Sequence, residues 1–367
     1  MESFRILVFN WRCWLNPGAG GAEVFTREVL RRWVRLGHEV TLFAGEFAGC
    51  VREEVLDGVR VVRGGGKYGV YGRARKMYRE RFSREKYDVV VDEVNTRPFF
   101  ASRFVRNGEC VVCLVHQLAR EFWFYEVPFP LSLVGYYFLE PWWLRRLAGL
   151  PTVTVSESTR ADLLGLGFGR VFVVGEGLGF EPLAELPVKS EKPVVVFVGR
   201  LVRAKRPDDA VRAFGRVREK MPDAELWVVG DGYFRKGLER LAGDGVRFFG
   251  GLGDVERREL VRRCWVLVHP SIREGWGLNV VEANALGVPC VAYDVAGLRD
   301  SVKDGVTGVL VRSGDVDGLA RGLVGVLGDE GLRMRLSVNA LEFARGFSWD
   351  RTAEEFMRVI RSVMNER

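Results

Sequence analysis

Histidine is scarce in this chain of 367 residues, with three, and cysteine is sparse, with six scattered along its length. That leaves little from which to build a His- or Cys-based metal centre or a disulfide framework. The one CxxC spacing, Cys110 and Cys113, falls in the apolar run ECVVCLVH. On a strand, residues three apart point to opposite faces, so no redox or metal clamp is expected there. Also missing is any apolar run of the roughly 20 residues that cross a bilayer as a helix. The longest aromatic and apolar stretch, VPFPLSLVGYYFL at 127–139, is too short. No leader pattern precedes the first strand-like run, because Met1 passes directly into FRILVFN, and a reducing, cytoplasmic compartment is expected. Nor does a GxGxxG follow that run. The glycines there read GAGGAE at 18–23, which argues against a nicotinamide-dependent oxidoreductase.

Glycine and positive charge are plentiful: 44 glycines and a net charge of +7. The charge suits anionic partners such as nucleotide phosphates or anionic lipid head groups. The basic clusters RRWVR (31–35), GRARKMYRERFSREK (72–86) and WWLRRL (142–147) each read as solvated helix faces, and no nucleic-acid partner is expected. Within the aromatic segment 122–143, the stretch 127–139 is flanked by Trp123, Trp142, Trp143 and the Arg145–Arg146 pair. It reads equally as a core helix or as an interfacial helix lying on a membrane surface.

Short β-branched runs alternate with helical patterns throughout, an α/β rhythm that implies parallel sheets. The runs FRILVFN, EVTLFAG, GVRVV, DVVVD, CVVCLVH, TVTVS and RVFVV form one series; PVVVFVG, AELWVVG, VRFFG, WVLVHP, PCVAY and GVLV form a second. Between them EPLAELPVKSEKP (181–193), with three prolines and clustered charge, reads as a linker. The expected organisation is a first Rossmann-like domain over 1–183, a linker over 184–193 and a second Rossmann-like domain over 194–345. A helix over 346–367, capped by Ser348 and anchored by Trp349 and Phe356, is expected to pack back on the first domain. Two doubly wound domains of this kind would face a central cleft at the carboxyl ends of their strands.

The richest chemistry lies at 269–289, HPSIREGWGLNVVEANALGVP. Gly275 and Gly277 permit a tight turn from strand to helix, leaving unpaired N–H groups where an anion can sit. Glu274 falls on the loop and Glu282 about one turn inside the helix. A carboxylate repels phosphate, so both suit neutral hydroxyls, Glu282 those of a ribose and Glu274 those of a sugar; helix capping is the bland reading of the pair. Upstream, Arg200 and Lys205 follow a strand end in GRLVRAKRPDD (199–209), where a fork-shaped and a point-like cation can share the oxygens of a diphosphate. Gly230 and Gly232 in VVGDG make a further turn after a strand. In the first half, Gly20 and Gly21 give close backbone access at a helix start, and His116 ends a strand. Ser156 is explained by helix capping alone.

The motifs GRL…K (199–205), GDG (230–232), PS..EG.GL..VEA.A.G.P (270–289) and GGAE (20–23) together resemble the retaining glycosyltransferases of family 4, or group 1, which have the two-Rossmann GT-B fold. The resemblance implies that Arg200 and Lys205 hold a diphosphate, Glu282 binds the nucleotide ribose and Glu274 approaches the donor sugar. It further implies that Gly199, Gly230, Gly232 and the backbone near Gly275, Trp276, Gly277 and Leu278 contact the donor, and it favours a site role for His116 near the sugar. Asp300 stands where relatives commonly carry Glu, so no role passes to it.

The implied activity is transfer of a hexose, with retention, from a UDP- or GDP-sugar to a hydroxyl of a glycan, lipid-linked or soluble. No DxD-type motif adjoins these residues, and no cofactor or essential metal is expected. An epimerase of the same fold and a noncatalytic sugar-nucleotide binder are the rivals. The first would release an altered nucleotide sugar without an acceptor, and the second would not turn donor over.

Overall fold

The structure, a computed structural model, describes residues 3–366. The chain forms two compact units. The first comprises residues 1–120, 133–177 and 348–367, and the second residues 121–132 and 178–347.

The first unit is built on an eight-stranded sheet. Its strands are β1 (Arg5–Phe9), β2 (Glu39–Ala44), β3 (Glu53–Leu56), β4 (Val59–Arg63), β5 (Val89–Val94), β6 (Cys110–Val115), β7 (Thr152–Thr154) and β8 (Val171–Val173). Their order is β3-β4-β2-β1-β5-β6-β7-β8, parallel except for the β3–β4 hairpin. β1, β5 and β6 are buried almost throughout, which is why they are rich in apolar residues, with Asp92 and Glu93 of β5 as buried exceptions. β3 was not among the expected strands, since EEVL is short, half charged and nowhere fully buried at the sheet edge. Its turn, Asp57-Gly58, has both residues at positive φ, the two-residue hairpin turn that such a dipeptide favours.

The C-terminal helix, Trp349–Asn365, belongs to this first unit. Ser348 caps it, accepting a hydrogen bond from the Asp350 N–H. Trp349, Phe356 and Ile360 line its buried face. The Trp33 indole donates to the Ala353 carbonyl at 3.0 Å, and the Trp33 and Phe356 rings meet edge to face at 5.1 Å.

The second unit holds a six-stranded parallel sheet of β9 (Val194–Val198), β10 (Glu225–Val229), β11 (Val246–Gly250), β12 (Val266–His269), β13 (Cys290–Tyr293) and β14 (Gly308–Val311). The order is β11-β10-β9-β12-β13-β14, so the winding reverses between β9 and β12.

Two boundaries differ from those expected. Residues 184–193 lie within the second unit rather than linking two others. Lys189 is tucked into the unit, its ammonium donating to the carbonyls of Arg262 and Gly287 at 3.1 and 3.0 Å; burial pulls its pKa down to about 8. Residues 121–132 also belong to the second unit, because their polar side chains find partners there. Glu121 pairs with Arg273 at 2.8 Å, and Glu126 accepts from the Ala204 N–H and the Tyr233 hydroxyl.

The aromatic segment is not a core helix. From Leu131 to Arg145 the chain is helical, with Gly135, Glu140 and Leu144 turned inward and Val134, Tyr137, Phe138 and Trp142 exposed. Among the described residues no helix is long and apolar enough to cross a membrane.

Candidate functional site

In an open α/β sheet the loops on either side of a reversal in winding splay apart and leave a crevice at the strand ends. In the second unit those loops follow β9 and β12, and they carry the residues singled out from the sequence. Lys205 ends a 3-10 turn, Arg203–Lys205, and Glu274 lies beyond β12; their side chains form a close ion pair. The two loops are also tied through the backbone, the Ile272 N–H donating to the Ala204 carbonyl at 3.1 Å.

Glu274 has a second side-chain partner. His269, the last residue of β12, places Nε2 3.0 Å from Glu274 Oε1 and is almost wholly buried. Burial alone would raise the Glu274 pKa, but the Lys205 ammonium and the His269 ring outweigh it and hold the carboxyl far below its usual range. Glu274 is therefore a fixed carboxylate. The place of His269 at the end of an apolar strand was the signal available for it in the sequence.

Beyond Glu274 the backbone N–H groups of Gly275, Trp276, Gly277 and Leu278 make no hydrogen bond among the described residues. Gly277 sits at φ +100 before the helix Leu278–Asn284, and a Cβ there would come within 2.7 Å of Ser301 Oγ. The Trp276 ring packs edge to face on Phe347 at 5.6 Å, and its indole Nε1 is buried without a partner. Gly230, at φ +134, lets the loop after β10 press against Gly199; any side chain would overlap the Gly199 carbonyl oxygen. Gly232 likewise adjoins Leu201, whose N–H donates to the Asp231 carbonyl at 2.9 Å.

Arg200 is exposed, and its side chain makes no hydrogen bond or ion pair among the described residues. It stands apart from the Lys205–Glu274 pair as an uncommitted cation. Glu282, a fifth exposed at its side chain, lies 3.3 Å from Arg257. Burial raises its pKa against the opposing pull of Arg257. Arg257 was missed; it sits in the charged helix Asp254–Val261, which no motif marks.

The first unit gathers the remaining predicted residues. Gly20 caps the helix Gly21–Arg35, its N–H donating to Glu23 Oε2 at 2.6 Å, and nothing crowds Gly21. His116 follows β6, is buried, and places Nε2 3.1 Å from Glu93 Oε1. Thr26, on the helix after Gly21, donates its hydroxyl to Glu93 at 2.8 Å. Burial lowers the His116 pKa, but Glu93, Glu176 and Glu23 outweigh it and hold the imidazole above its ordinary value. Glu93 and Thr26 were missed; two adjacent acids at the end of an apolar strand, Asp92 and Glu93, were the signal. Ser156 accepts from the Thr159 N–H as the cap of the helix Glu157–Gly165. Among the described residues no group of three or more His, Cys, Asp or Glu is arranged to hold a metal ion.

Residues 181–343 match the family model for glycosyl transferases group 1, and residues 19–178 that for glycosyltransferase family 4. The chain is 38% identical over 187 residues to a D-inositol 3-phosphate glycosyltransferase of Salinispora tropica, covering 47% of this chain and 39% of that protein. A protein of the same name from Kribbella flavida is 33% identical over 225 residues, covering 55% and 53%. The chain thus spans about half or less of the length of these relatives. Among solved structures, sucrose-phosphate synthase from Thermosynechococcus elongatus superposes with a TM-score of 0.84 at 19% identity over 99% of this chain and all of that one. HepE of Anabaena, in complex with UDP and glucose, superposes at 0.71 with 18% identity over 98% and 100%. These likenesses establish the fold as GT-B, with two Rossmann-like units.

Proposed function

Because the chain belongs to the group 1 glycosyltransferases, we propose that it moves a hexose from a nucleoside diphosphate sugar to an acceptor hydroxyl with retention at the anomeric carbon. The observation that carries this reading is the convergence of the loops after β9 and β12 at the reversal in winding. There the Lys205–Glu274–His269 chain lies beside four free backbone N–H groups.

In the reaction the bond between the anomeric carbon and the diphosphate oxygen breaks. The acceptor oxygen bonds that carbon on the same face, and the acceptor proton passes to the departing phosphate. Charge grows on the diphosphate, and donors already in place stabilise it without reorganising. We assign that task to Arg200, Lys205 and the turn at Gly275–Leu278, with no resident metal called upon. Lys205 has three N–H donors and spends one on Glu274. Glu274, fixed as a carboxylate, is assigned to the donor sugar hydroxyls and Glu282 to the ribose. Gly199, Gly230 and Gly232 let the backbone approach the nucleotide. In the first unit Gly20 and Gly21 are assigned to the diphosphate, and His116, held by Glu93, to the transferred sugar. The UDP in HepE supports a uridine donor, with GDP the other candidate.

For the acceptor, the exposed Tyr137, Phe138 and Trp142 support a lipid-linked glycan at the cytoplasmic face of a membrane. The relatives named as acting on inositol 3-phosphate favour a second reading, a phosphorylated small acceptor. Incubation of labelled UDP- and GDP-sugars with lipid extract or with sugar phosphates, followed by NMR of the product, tests both. An α-linked product from an α-linked donor is expected. Release of an altered nucleotide sugar without any acceptor would replace the transferase reading with an epimerase.

A further inference from the structure

One glycine-rich turn is left over by this account. β4 ends at Arg63, and Gly64, Gly65 and Gly66 lead directly into the helix Gly66–Met77. Gly65, at φ +85, caps that helix without a side-chain hydrogen bond, and the first turn carries no acidic residue. The positive end of the helix is therefore unneutralised. A helix start alone does not make a site, but two arginines beside it lack the partners such groups normally have.

The Arg63 side chain is fully buried. Nε donates to Cys13 Sγ at 3.2 Å, and Nη1 donates to the Val51 carbonyl and to Glu54, both at 2.6 Å. Nη2 is buried and has no partner. A buried guanidinium N–H without an acceptor is costly and seldom left so. Arg73, two turns into the helix, makes no hydrogen bond or ion pair among the described residues. Its stem lies over the glycine turn. A Cβ on Gly64 would come within 2.8 Å of Arg73 Cγ, and one on Gly65 within 2.6 Å of the Gly69 carbonyl. The glycines clear the room that Arg73 occupies.

Arg63, Arg73 and Gly65 line a cavity of 340 Å3, with Arg52 and Arg81 among its other walls. That volume is in the range of small-molecule sites. Four arginines line it against two glutamates, Glu46 and Glu53. Glu53 is already engaged by Arg81 and Arg60, which hold its pKa down at about 2, so it is not free to neutralise Arg73. Glu54 and Glu85 answer Arg63 and Arg81.

We propose that this cavity is an oxyanion site for a phosphate group, bound in a fork by Arg73, by the free Nη2 of Arg63 and by the N–H groups at the start of the helix. Guanidinium and backbone N–H groups together match a tetrahedral dianion better than a neutral sugar. The phosphate is either that of a phosphorylated acceptor or free inorganic phosphate. Only the first source rests on the transferase reading.

Calorimetric titration of the full chain with inorganic phosphate, glucose 6-phosphate and glucose tests the site without requiring turnover. Both phosphates are expected to bind and glucose is not. Arg73→Ala is expected to weaken phosphate at least tenfold while leaving UDP binding unchanged. Arg73→Lys, which keeps the charge but not the fork, should fall between. Tighter binding of glucose 6-phosphate than of phosphate assigns the cavity to an acceptor, and equal binding assigns it to the free ion. Phosphate binding that is absent, or identical in wild type and Arg73→Ala, overturns the proposal. If UDP fails to bind while phosphate binds through Arg73, the transferase reading falls and the anion site stands. Should Arg73→Ala not fold, loss of phosphate binding in Arg73→Gln serves the same purpose.

Discussion

Replacing Lys205 with Met tests whether the second unit holds a buried, charged relay or a set of loosely neighbouring side chains. The ammonium and the Glu274 carboxylate are 14% and 11% exposed, so water cannot take over for a lost partner. At an effective dielectric near 20, contact ions about 3 Å apart attract by about 5 kcal/mol, and removing one member of such a pair costs about 3–5 kcal/mol. His269 offsets part of this by keeping its bond to Glu274. We therefore expect Lys205→Met to lose about 3 kcal/mol in urea unfolding followed by tryptophan fluorescence at neutral pH. The sign with pH follows from the depressed pKa of Glu274. Its contribution is fully present above the unfolded carboxyl value near 4.3 and fades as pH falls below that. The gap between wild type and variant should narrow accordingly in acid. The double variant Lys205→Met/Glu274→Gln should recover at least about 2 kcal/mol of the summed single losses. Strict additivity, or a single-variant loss under about 1 kcal/mol, would refute the relay.

Three further outcomes follow. Glu93→Gln should lower the His116 pKa, read by NMR of the ring protons. Since that pKa is raised in the folded chain, the associated stability is present below about 6.5 and lost as pH rises through the folded value, and the variant should lose this dependence. Trp349→Ala should cost roughly 3–5 kcal/mol by opening a cavity in the first unit against Phe25, measured by thermal unfolding. Gly230→Ala should abolish nucleotide binding, measured by calorimetry, because its methyl would overlap the Gly199 carbonyl oxygen.

Much of the architecture was legible because buried parallel strands must be apolar on both faces, and β6, β9 and most of β1 and β12 show it in their composition. The strand-end residues Lys205 and Glu274 were legible because glycine-rich turns punctuate such strands. What could not be read were pairings between distant residues. Glu121 and Glu126 look like ordinary surface charge until Arg273 and Tyr233 meet them, 152 and 107 residues away. Arg257 beside Glu282 and Thr26 beside Glu93 escaped for the same reason. The stretch 184–193 was misread because prolines and charge imitate a linker, whereas Lys189 uses its ammonium to hold carbonyls inside the second unit. The helical stretch after Leu133 could not be assigned from sequence, since periodicity does not say which face is turned inward.

We assign the crevice beside β9 and β12 to a nucleoside diphosphate. Thermal unfolding of the full chain with UDP, GDP and ADP tests it most directly, because a ligand that prefers the folded state raises its stability by RT ln(1 + [L]/Kd), about 2.7 kcal/mol at a hundredfold excess over Kd. One of the three should raise the midpoint in wild type and fail to do so in Glu282→Ala and Lys205→Ala. No shift with any nucleotide, or an equal shift in those variants, would contradict the account.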